Sequence, residues 1–382
     1  MNAATTIFFT ILKLFSLYFL VVSFFGLFQR KRPGNDAPQR RFAVLIAARN
    51  EEGCIAGLVE SLQAQRYPAA QFDIWVLPNN CTDHTAEAAR RAGANVMELP
   101  ASIHSKGAAL QYAANVLLRS RRHYNAFCVF DADNEADPAF LSEMDRALSQ
   151  NAIVKSRILA KNRTQAGVSA CYEIYFCTAN HFLNRAREAA GLSARVIGTG
   201  FAIRRDLLEE LGGFPCRTIT EDAELYAACL ERGVRIGYCE TAVTYDEEPI
   251  TWRTSLIQRR RWMSGIMQVA RLTLPQLLWN FLRRPDLNRL DGILQFVFPF
   301  LQAVTPFFTL AAFFVGSITL RSLPVSLLAA YAGSAALAVA ALALEKRLDS
   351  KMAGGILLYP VFMACFLPLQ TLALFKAQTV WH

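Results

Sequence analysis

Residues 5–28 are apolar almost throughout, broken only by Lys13 and a few small polar side chains. About 20 apolar residues span a bilayer as a helix, so this stretch is long enough to cross. A secretory signal is the rival reading. Its apolar core would be shorter, and Phe24-Phe25-Gly26-Leu27-Phe28 lacks the two spaced small residues of a cleavage site. The stretch therefore reads as an anchor. Three more apolar stretches lie near the end of the chain, at 293–320, 323–344 and 355–375. Pro299, Pro306, Pro360 and Pro368 fall inside the first and third. Each proline removes a backbone donor that neighbouring helices must compensate at membrane depth, which predicts a packed bundle.

Between these ends the pattern changes period. Short apolar runs predict strands at 42–47, 72–77, 95–99 and 126–130, the last running into Asp131. Helical stretches near 53–65, 85–91 and 105–118 separate them. Strands alternating with helices predict an α/β domain with a parallel, Rossmann-like sheet. In such sheets ligands bind at the carboxyl ends of the strands. After 252 the chain becomes dense in Arg, Leu and Trp, with Arg259, Arg260, Arg261, Arg271, Arg283, Arg284 and Arg289. This predicts amphipathic helices at a membrane surface; a charged, solvated face is the alternative. The predicted order is a spanning helix at 5–28, an α/β domain at 40–250, amphipathic helices at 251–291 and spanning helices at 292–376.

The net charge of +9 then acquires a meaning. Arg30, Lys31, Arg32, Arg40 and Arg41 follow the first apolar stretch, and Glu345, Lys346, Arg347 and Lys351 lie between the last two. By the positive-inside rule these flanks, and the α/β domain with them, face the cytoplasm of a cell membrane that the chain crosses several times. Strict alternation puts the C-terminus, which ends Thr379-Val380-Trp381-His382, outside. Basic residues beside apolar stretches also suit anionic membrane lipid. With no nucleic-acid motif present, they argue against nucleic acid as a partner. The nine cysteines form no C-x-x-C pair, and Cys171 and Cys177 lie in no zinc-ligand pattern, so they read as reduced thiols in a reducing compartment.

The candidate chemistry sits at the strand ends. Ala48-Arg49-Asn50-Glu51-Glu52 follows the first strand and Pro78-Asn79-Asn80-Cys81-Thr82-Asp83 the second. Both are placed to hold a nucleotide, although Asp83 is equally an N-cap for the helix that follows. Ser105-Lys106-Gly107 opens a helix, where backbone N–H groups and a lysine suit a phosphate; a solvated first-turn lysine is the plain alternative. Val129-Phe130-Asp131-Ala132-Asp133 delivers two carboxylates to the same side of an extended chain. Such hard oxygen ligands suit Mg²⁺ or Mn²⁺, with diphosphate oxygens completing the shell. Gly198-Thr199-Gly200 reads as a glycine-flanked turn that lets backbone approach a ligand closely, or as a turn alone. Thr220-Glu221-Asp222 reads as an N-cap with two acids favoured by the helix dipole, or as the source of a general base. In Gln258-Arg259-Arg260-Arg261-Trp262, guanidinium groups can grip a diphosphate and a Trp face can stack on a sugar; an interfacial Arg/Trp belt has the same composition.

Taken in order, Asp83, the D-x-D of Asp131 and Asp133, the T-E-D of Thr220 to Asp222 and the Q-x-x-R-W of Gln258 to Trp262 resemble the family-2 glycosyltransferases. The closer likeness is to their membrane-bound branch, which includes cellulose, hyaluronan, chitin-oligosaccharide and poly-β-1,6-N-acetylglucosamine synthases. The stretch Tyr245-Asp246-Glu247-Glu248-Pro249 also looks like this branch, and the resemblance covers roughly residues 42–265. It implies a nucleotide-sugar-binding GT-A-type α/β fold with flanking transmembrane helices. It implies that Ala48, Asn50, Glu51 and Asp83 line the uracil and ribose site and that Lys106 faces the nucleotide. Asp131 and Asp133 would bind the sugar diphosphate and a Mg²⁺ or Mn²⁺ cofactor. Gly198, Thr199 and Gly200 would lie near the acceptor, and Asp222, beside Glu221, would be the base. Gln258, Arg261 and Trp262 would close over diphosphate and acceptor. The implied reaction is inverting transfer from a UDP-sugar to a glycan or lipid-linked acceptor, forming β-linkages. One alternative is transfer of a single sugar to a lipid carrier. The other is a silent scaffold, against which the three acids argue, since carboxylates buried without partners cost stability.

Overall fold

The computed structural model describes residues 3–28, 40–316 and 323–376. Expectations for Arg30, Lys31, Arg32, residues 317–320 and 379–382 lie outside the described residues. The chain divides into two compact units. Of the described residues, one contains 40–161 and 191–247; the other contains 3–28, 162–190, 248–316 and 323–376. From residue 40 to 316 the chain therefore changes unit at 161/162, 190/191 and 247/248.

The first unit is built on a sheet. Among the described residues its strands are β1 (Phe42–Ala48), β2 (Phe72–Pro78), β3 (Asn95–Val96), β4 (Ala126–Asp131), β5 (Glu135–Ala136), β6 (Ile153–Ala160), β7 (Phe201–Arg204) and β8 (Ile236–Asp246). Their spatial order is β3-β2-β1-β4-β7-β6-β8-β5. Every residue of β1 is buried, as expected of a parallel strand covered on both faces. The register aligns Ala48 with Pro78 and Ala47 with Asp131, so β1, β2 and β4 end level. The four strands expected from the sequence pair in parallel, and the sheet is mixed beyond them. β1 to β4 are parallel, but β7 runs antiparallel to both β4 and β6, and β5 antiparallel to β8. The third strand is also shorter than its apolar run, at Asn95–Val96.

The second unit is helical. Among the described residues, Ala3–Leu27, Leu287–Phe314, Leu323–Leu344 and Ser350–Phe375 are long and apolar enough to cross a membrane. Pro299 and Pro306 lie inside one helix and Pro360 inside another. Pro368 lies in the first turn of Phe366–Phe375, where its missing N–H is not needed. Of the amphipathic stretch predicted at 251–291, residues 287–291 begin the helix Leu287–Phe314 and Trp252–Arg283 forms one 32-residue helix. Leu272, Trp279 and Leu282 are exposed on it, at 54%, 51% and 72%. Arg259 departs from the surface expectation. It is fully buried, with its guanidinium 3.9 Å from the Phe362 ring centre and Nη1 donating to the Phe362 carbonyl at 2.6 Å.

Buried charges tie this unit together. Arg187 meets Asp291 through Nε–Oδ2 and Nη2–Oδ1 contacts of 2.8 and 2.9 Å, and Tyr18 donates to Asp291 at 2.9 Å. His181 lies 3.1 Å from Glu345, and Arg347 2.5 Å from Glu173. His181 belongs to a π-helical turn, Ala179–Arg185. A Cβ on Gly26 would come within 2.6 Å of its carbonyl, so the end of the first helix needs a residue without one there.

Candidate active site

The level ends of β1 and β2 carry the first polar clusters. Beyond Ala48, Asn50 takes left-handed backbone with φ 58°, a conformation asparagine tolerates. Its Oδ1 accepts from the Thr82 N–H at 2.8 Å, and the Glu51 N–H donates to the Thr85 hydroxyl at 2.8 Å. Asp83 spends both carboxylate oxygens inside this loop pair, accepting from the Glu52 N–H and the Thr85 N–H, each at 3.1 Å. It is not the N-cap of the next helix. His84 holds that position, with no side-chain cap bond among the described residues. The structure thus gathers Ala48, Asn50, Glu51 and Asp83 at one edge.

β4 presents Asp131 as its last residue. Asn134, overlooked in the sequence, locks the turn that follows. Its Oδ1 accepts from the Asp131 N–H at 3.1 Å and its amide donates to Asp246 at 2.7 Å. Burial, and then Asp246, Asp131 and Glu51, push the Asp133 carboxyl well above the usual carboxylate range. Burial and Asp131 push Asp246, the last residue of β8, up to about 7 against the pull of Lys106 and Lys155. Burial also raises Glu51, where Asp131, Asp83 and Glu247 add to the rise against a hydrogen bond from the Cys54 thiol. More negative charge converges here than local cations offset.

That excess fits a divalent cation. Among the described residues no three His, Cys, Asp or Glu side chains are grouped to hold a metal unaided. Asp131 and Asp133 could supply two hard oxygens, and a diphosphate the remainder.

Lys106 begins the helix Lys106–Leu118, behind a Ser105 hydroxyl that caps the Ala108 N–H at 3.1 Å. Its side chain is only 8% exposed, which removes the solvated-lysine reading. Nζ lies 2.6 Å from Asp131 Oδ1 and 3.2 Å from Glu221 Oε1, and donates to the Gly198 carbonyl at 2.6 Å. Burial pulls this ammonium down, but Asp131, Glu221 and Asp222 together hold it above its ordinary value.

The Gly198–Gly200 turn sits among these groups. The Gly198 N–H donates to Asp222 Oδ2 at 2.7 Å, and the Ala223 N–H to Oδ1 at 2.8 Å. The Thr199 hydroxyl donates to Asn134 and accepts from the Asp131 N–H. Gly200 has φ 60°, and a Cβ there would collide with the Ser156 and Thr244 hydroxyls, so only glycine fits. Thr220 holds the N-cap position of Glu221–Arg232, but among the described residues its hydroxyl makes no cap bond. Glu221 is buried against Lys106. Burial raises its carboxyl against the pull of Lys106, with Asp222 and Asp131 adding to the rise.

A second overlooked residue is Lys155, fully buried in β6. Its signal was a charge, with Arg157, inside the largely apolar run of that strand. Burial brings its ammonium down to about 7, against Asp246, Asp222 and Asp131.

The other three expected residues lie in the helical unit. Gln258 accepts from the Tyr172 hydroxyl at 2.7 Å. Trp262 stacks on Tyr175 with ring centres 6.1 Å apart and meets the Tyr172 ring edge-on. Arg261 is half-buried.

Residues 38–265 match the model of the family described as glycosyltransferase like family 2. A probable glycosyltransferase of Bacillus subtilis, YdaM, is 26% identical over 242 residues, covering 60% of this chain and 56% of its own length. A β-monoglucosyldiacylglycerol synthase of Synechocystis is 26% identical over 243 residues, 60% of this chain and 49% of the relative. The chain thus spans about half the length of these curated relatives. Cellulose synthase 1 of Komagataeibacter xylinus is 23% identical over 342 residues, 84% of this chain but 21% of the synthase. Among solved structures, the mannosyltransferase PcManGT of Pyrobaculum calidifontis, in complex with GDP-Man and Mn²⁺, superposes with a TM-score of 0.64 at 18% identity. The match covers 98% of this chain and 99% of that one. With the family model spanning more than half of its 382 residues, this chain belongs to glycosyltransferase family 2 and is a glycosyltransferase of GT-A fold.

Proposed function

We propose that the protein transfers a sugar from a UDP-sugar to a hydroxyl of a glycan or lipid-linked acceptor at the cytoplasmic face of a cell membrane, with inversion. One observation carries the reading. Asp131 at the end of β4 and Asp222 at the start of a helix are joined through only Lys106 and Gly198, by contacts of 2.6, 2.6 and 2.7 Å. A donor diphosphate at Asp131 and Asp133 would therefore bring its anomeric carbon close to a fixed base.

In this reading Ala48, Asn50, Glu51 and Asp83 hold the nucleoside, and Lys106 turns from Asp131 towards the diphosphate. Asp222 takes the proton of the acceptor hydroxyl. That oxygen bonds to the anomeric carbon as the bond from carbon to diphosphate breaks, and UDP leaves with the electron pair. A single displacement turns an α-linked donor into a β-linked product. A Mg²⁺ or Mn²⁺ ion held by Asp131 and Asp133 would neutralise charge on the leaving group. Gly198, Thr199 and Gly200 line the acceptor side, and Gln258, Arg261 and Trp262 contribute to acceptor and diphosphate binding.

Two acceptor classes remain distinct outcomes. Likeness to cellulose synthase favours glycan extension, and likeness to the monoglucosyldiacylglycerol synthase favours one sugar on a lipid. The test is UDP release by the full chain in nanodiscs, from a panel of UDP-sugars with Mn²⁺ or Mg²⁺, with and without chelator. Membrane lipid extract or oligosaccharides serve as acceptors. Metal-dependent release from one donor supports the proposal and names the sugar. No release from any donor with either acceptor overturns it.

A further inference from the structure

Lys155 serves no part of the reaction just described, yet its position is unusual. It stands in β6 with no exposed surface. Nζ donates to the carbonyls of Thr199 at 2.9 Å and Gly200 at 3.2 Å, and to the Ser156 hydroxyl at 3.3 Å. All three acceptors are neutral. Burying an ammonium whose hydrogen bonds all go to neutral groups, with the carboxylates of Asp246, Asp222 and Asp131 acting only through space, costs stability that an apolar side chain of similar length would not cost. Plain core packing therefore does not account for a lysine here.

The acceptors do account for it. Two of the three are backbone carbonyls of the turn whose Gly198 N–H fixes Asp222 Oδ2. The rest of that turn is also held: the Gly200 N–H donates to the Val129 carbonyl, and the Ser156 N–H to the Gly200 carbonyl, each at 2.8 Å. With Lys155 gone, the buried Thr199 carbonyl loses this donor. The Thr199–Gly200 peptide is then held by its Gly200 N–H alone, which loosens the turn that carries the Gly198 N–H.

We propose that Lys155 is a positioning residue for sugar transfer, holding the 197–200 turn in the shape that aims Asp222 at the acceptor hydroxyl. The proposal rests on Asp222 being the base. Misplacing a reacting group by about 1 Å can cost roughly 10²-fold in rate. Among the described residues Lys155 itself hydrogen-bonds no donor-site side chain, and the turn reaches Lys106 and Asp131 only through the Gly198 carbonyl and the Thr199 hydroxyl.

Lys155→Met and Lys155→Gln are compared with the wild type as full chains in nanodiscs. The measured quantities are UDP release at saturating donor, the Kd for UDP with Mn²⁺, and each substitution's effect when combined with Asp222→Asn. Lys155→Gln carries its N–H donors one atom nearer the backbone, short of the Thr199 and Gly200 carbonyls, and it alone decides the outcome if Lys155→Met does not fold. The expected result is a fall in kcat of about 10- to 100-fold with Kd changed by less than about threefold. The double variant should be no slower than Asp222→Asn alone, because both act through one group. A kcat close to wild type, a loss carried wholly by UDP affinity, or losses that multiply in the double variant would each overturn the proposal. Should Asp222→Asn retain wild-type turnover, the base reading fails by itself. A slow Lys155→Met in that case still assigns the turn a role, by a route other than Asp222, and an unimpaired one removes it.

Discussion

In the helical unit three buried acids each meet a basic side chain, Arg187 with Asp291, His181 with Glu345 and Arg347 with Glu173, while buried Arg259 lies against the Phe362 carbonyl and ring. In the sheet unit, carboxylates crowd one edge. Glu51, Asp133 and Asp246 are all raised, with Lys106 and Lys155 as the nearby cations. The difference separates two uses of buried charge. One-to-one pairs satisfy each other and hold helices together, and breaking one leaves an uncompensated charge. A surplus of one sign is unfavourable until something of the other sign arrives, which marks a place for a ligand.

Four measurements can break or sharpen this contrast. The largest effect is expected from Asp222→Asn, which removes the base and should lower kcat by about 10²–10⁴-fold. UDP affinity, followed by calorimetry, should hold. Wild-type turnover in this variant would take Asp222 out of the chemistry. Asp291→Ala should behave in the opposite way. It leaves Arg187 buried and unpaired, at a cost of about 3–5 kcal/mol, read as a lower melting temperature, while turnover per folded molecule changes little. If Arg187→Met with Asp291→Leu recovers none of the loss, the pair has a role beyond packing.

The third measurement varies pH with and without metal. Asp133 and Asp246 titrate above their unfolded value of about 3.9, Asp246 at about 7. Their folded forms hold protons that the unfolded chain has lost, so the chelated protein should become less stable as pH rises through that window. Above about 7 the depressed Lys155 acts in the opposite sense, because the unfolded chain then binds the extra proton. Mn²⁺ should stabilise more at neutral than at acidic pH, as protons cease to compete for the carboxylates. Equal melting shifts at both pH values would deny the surplus a cation. The smallest effect is expected from Asp286→Ala. This carboxylate caps the Arg289 N–H at 2.8 Å and is partly exposed. Its loss should cost about 1 kcal/mol, against the larger cost at Asp291. A cost as large as that at Asp291 would mean that burial does not separate the two.

Much of the sheet was legible because β1 and β4 are continuous apolar runs ending in polar residues. β6 and β8 were harder to read, since Lys155, Ser156, Thr241 and Thr244 interrupt them, and the reversal that makes β7 antiparallel has no local signal. The D-x-D and T-E-D carboxylates were visible as motifs. Their wiring was not: Lys106 and Gly198 meet across 92 residues of sequence, and Asn134 and Asp246 across 112. Composition separated the spanning helices but could not show that Arg259 turns inward onto Phe362.

The changes of unit at 161/162, 190/191 and 247/248 bear on any attempt to make a water-soluble enzyme. Trimming the chain to 40–250 removes the apolar ends but retains 162–190. That segment would carry Arg187, His181 and Glu173 into water without Asp291, Glu345 and Arg347, together with an apolar surface stripped of its cover. Such a fragment should aggregate, and detergent would rescue it only while the severed helices remain present. Membrane attachment is thus threaded through the catalytic sequence, and the transferase cannot be freed from it by cutting at the ends.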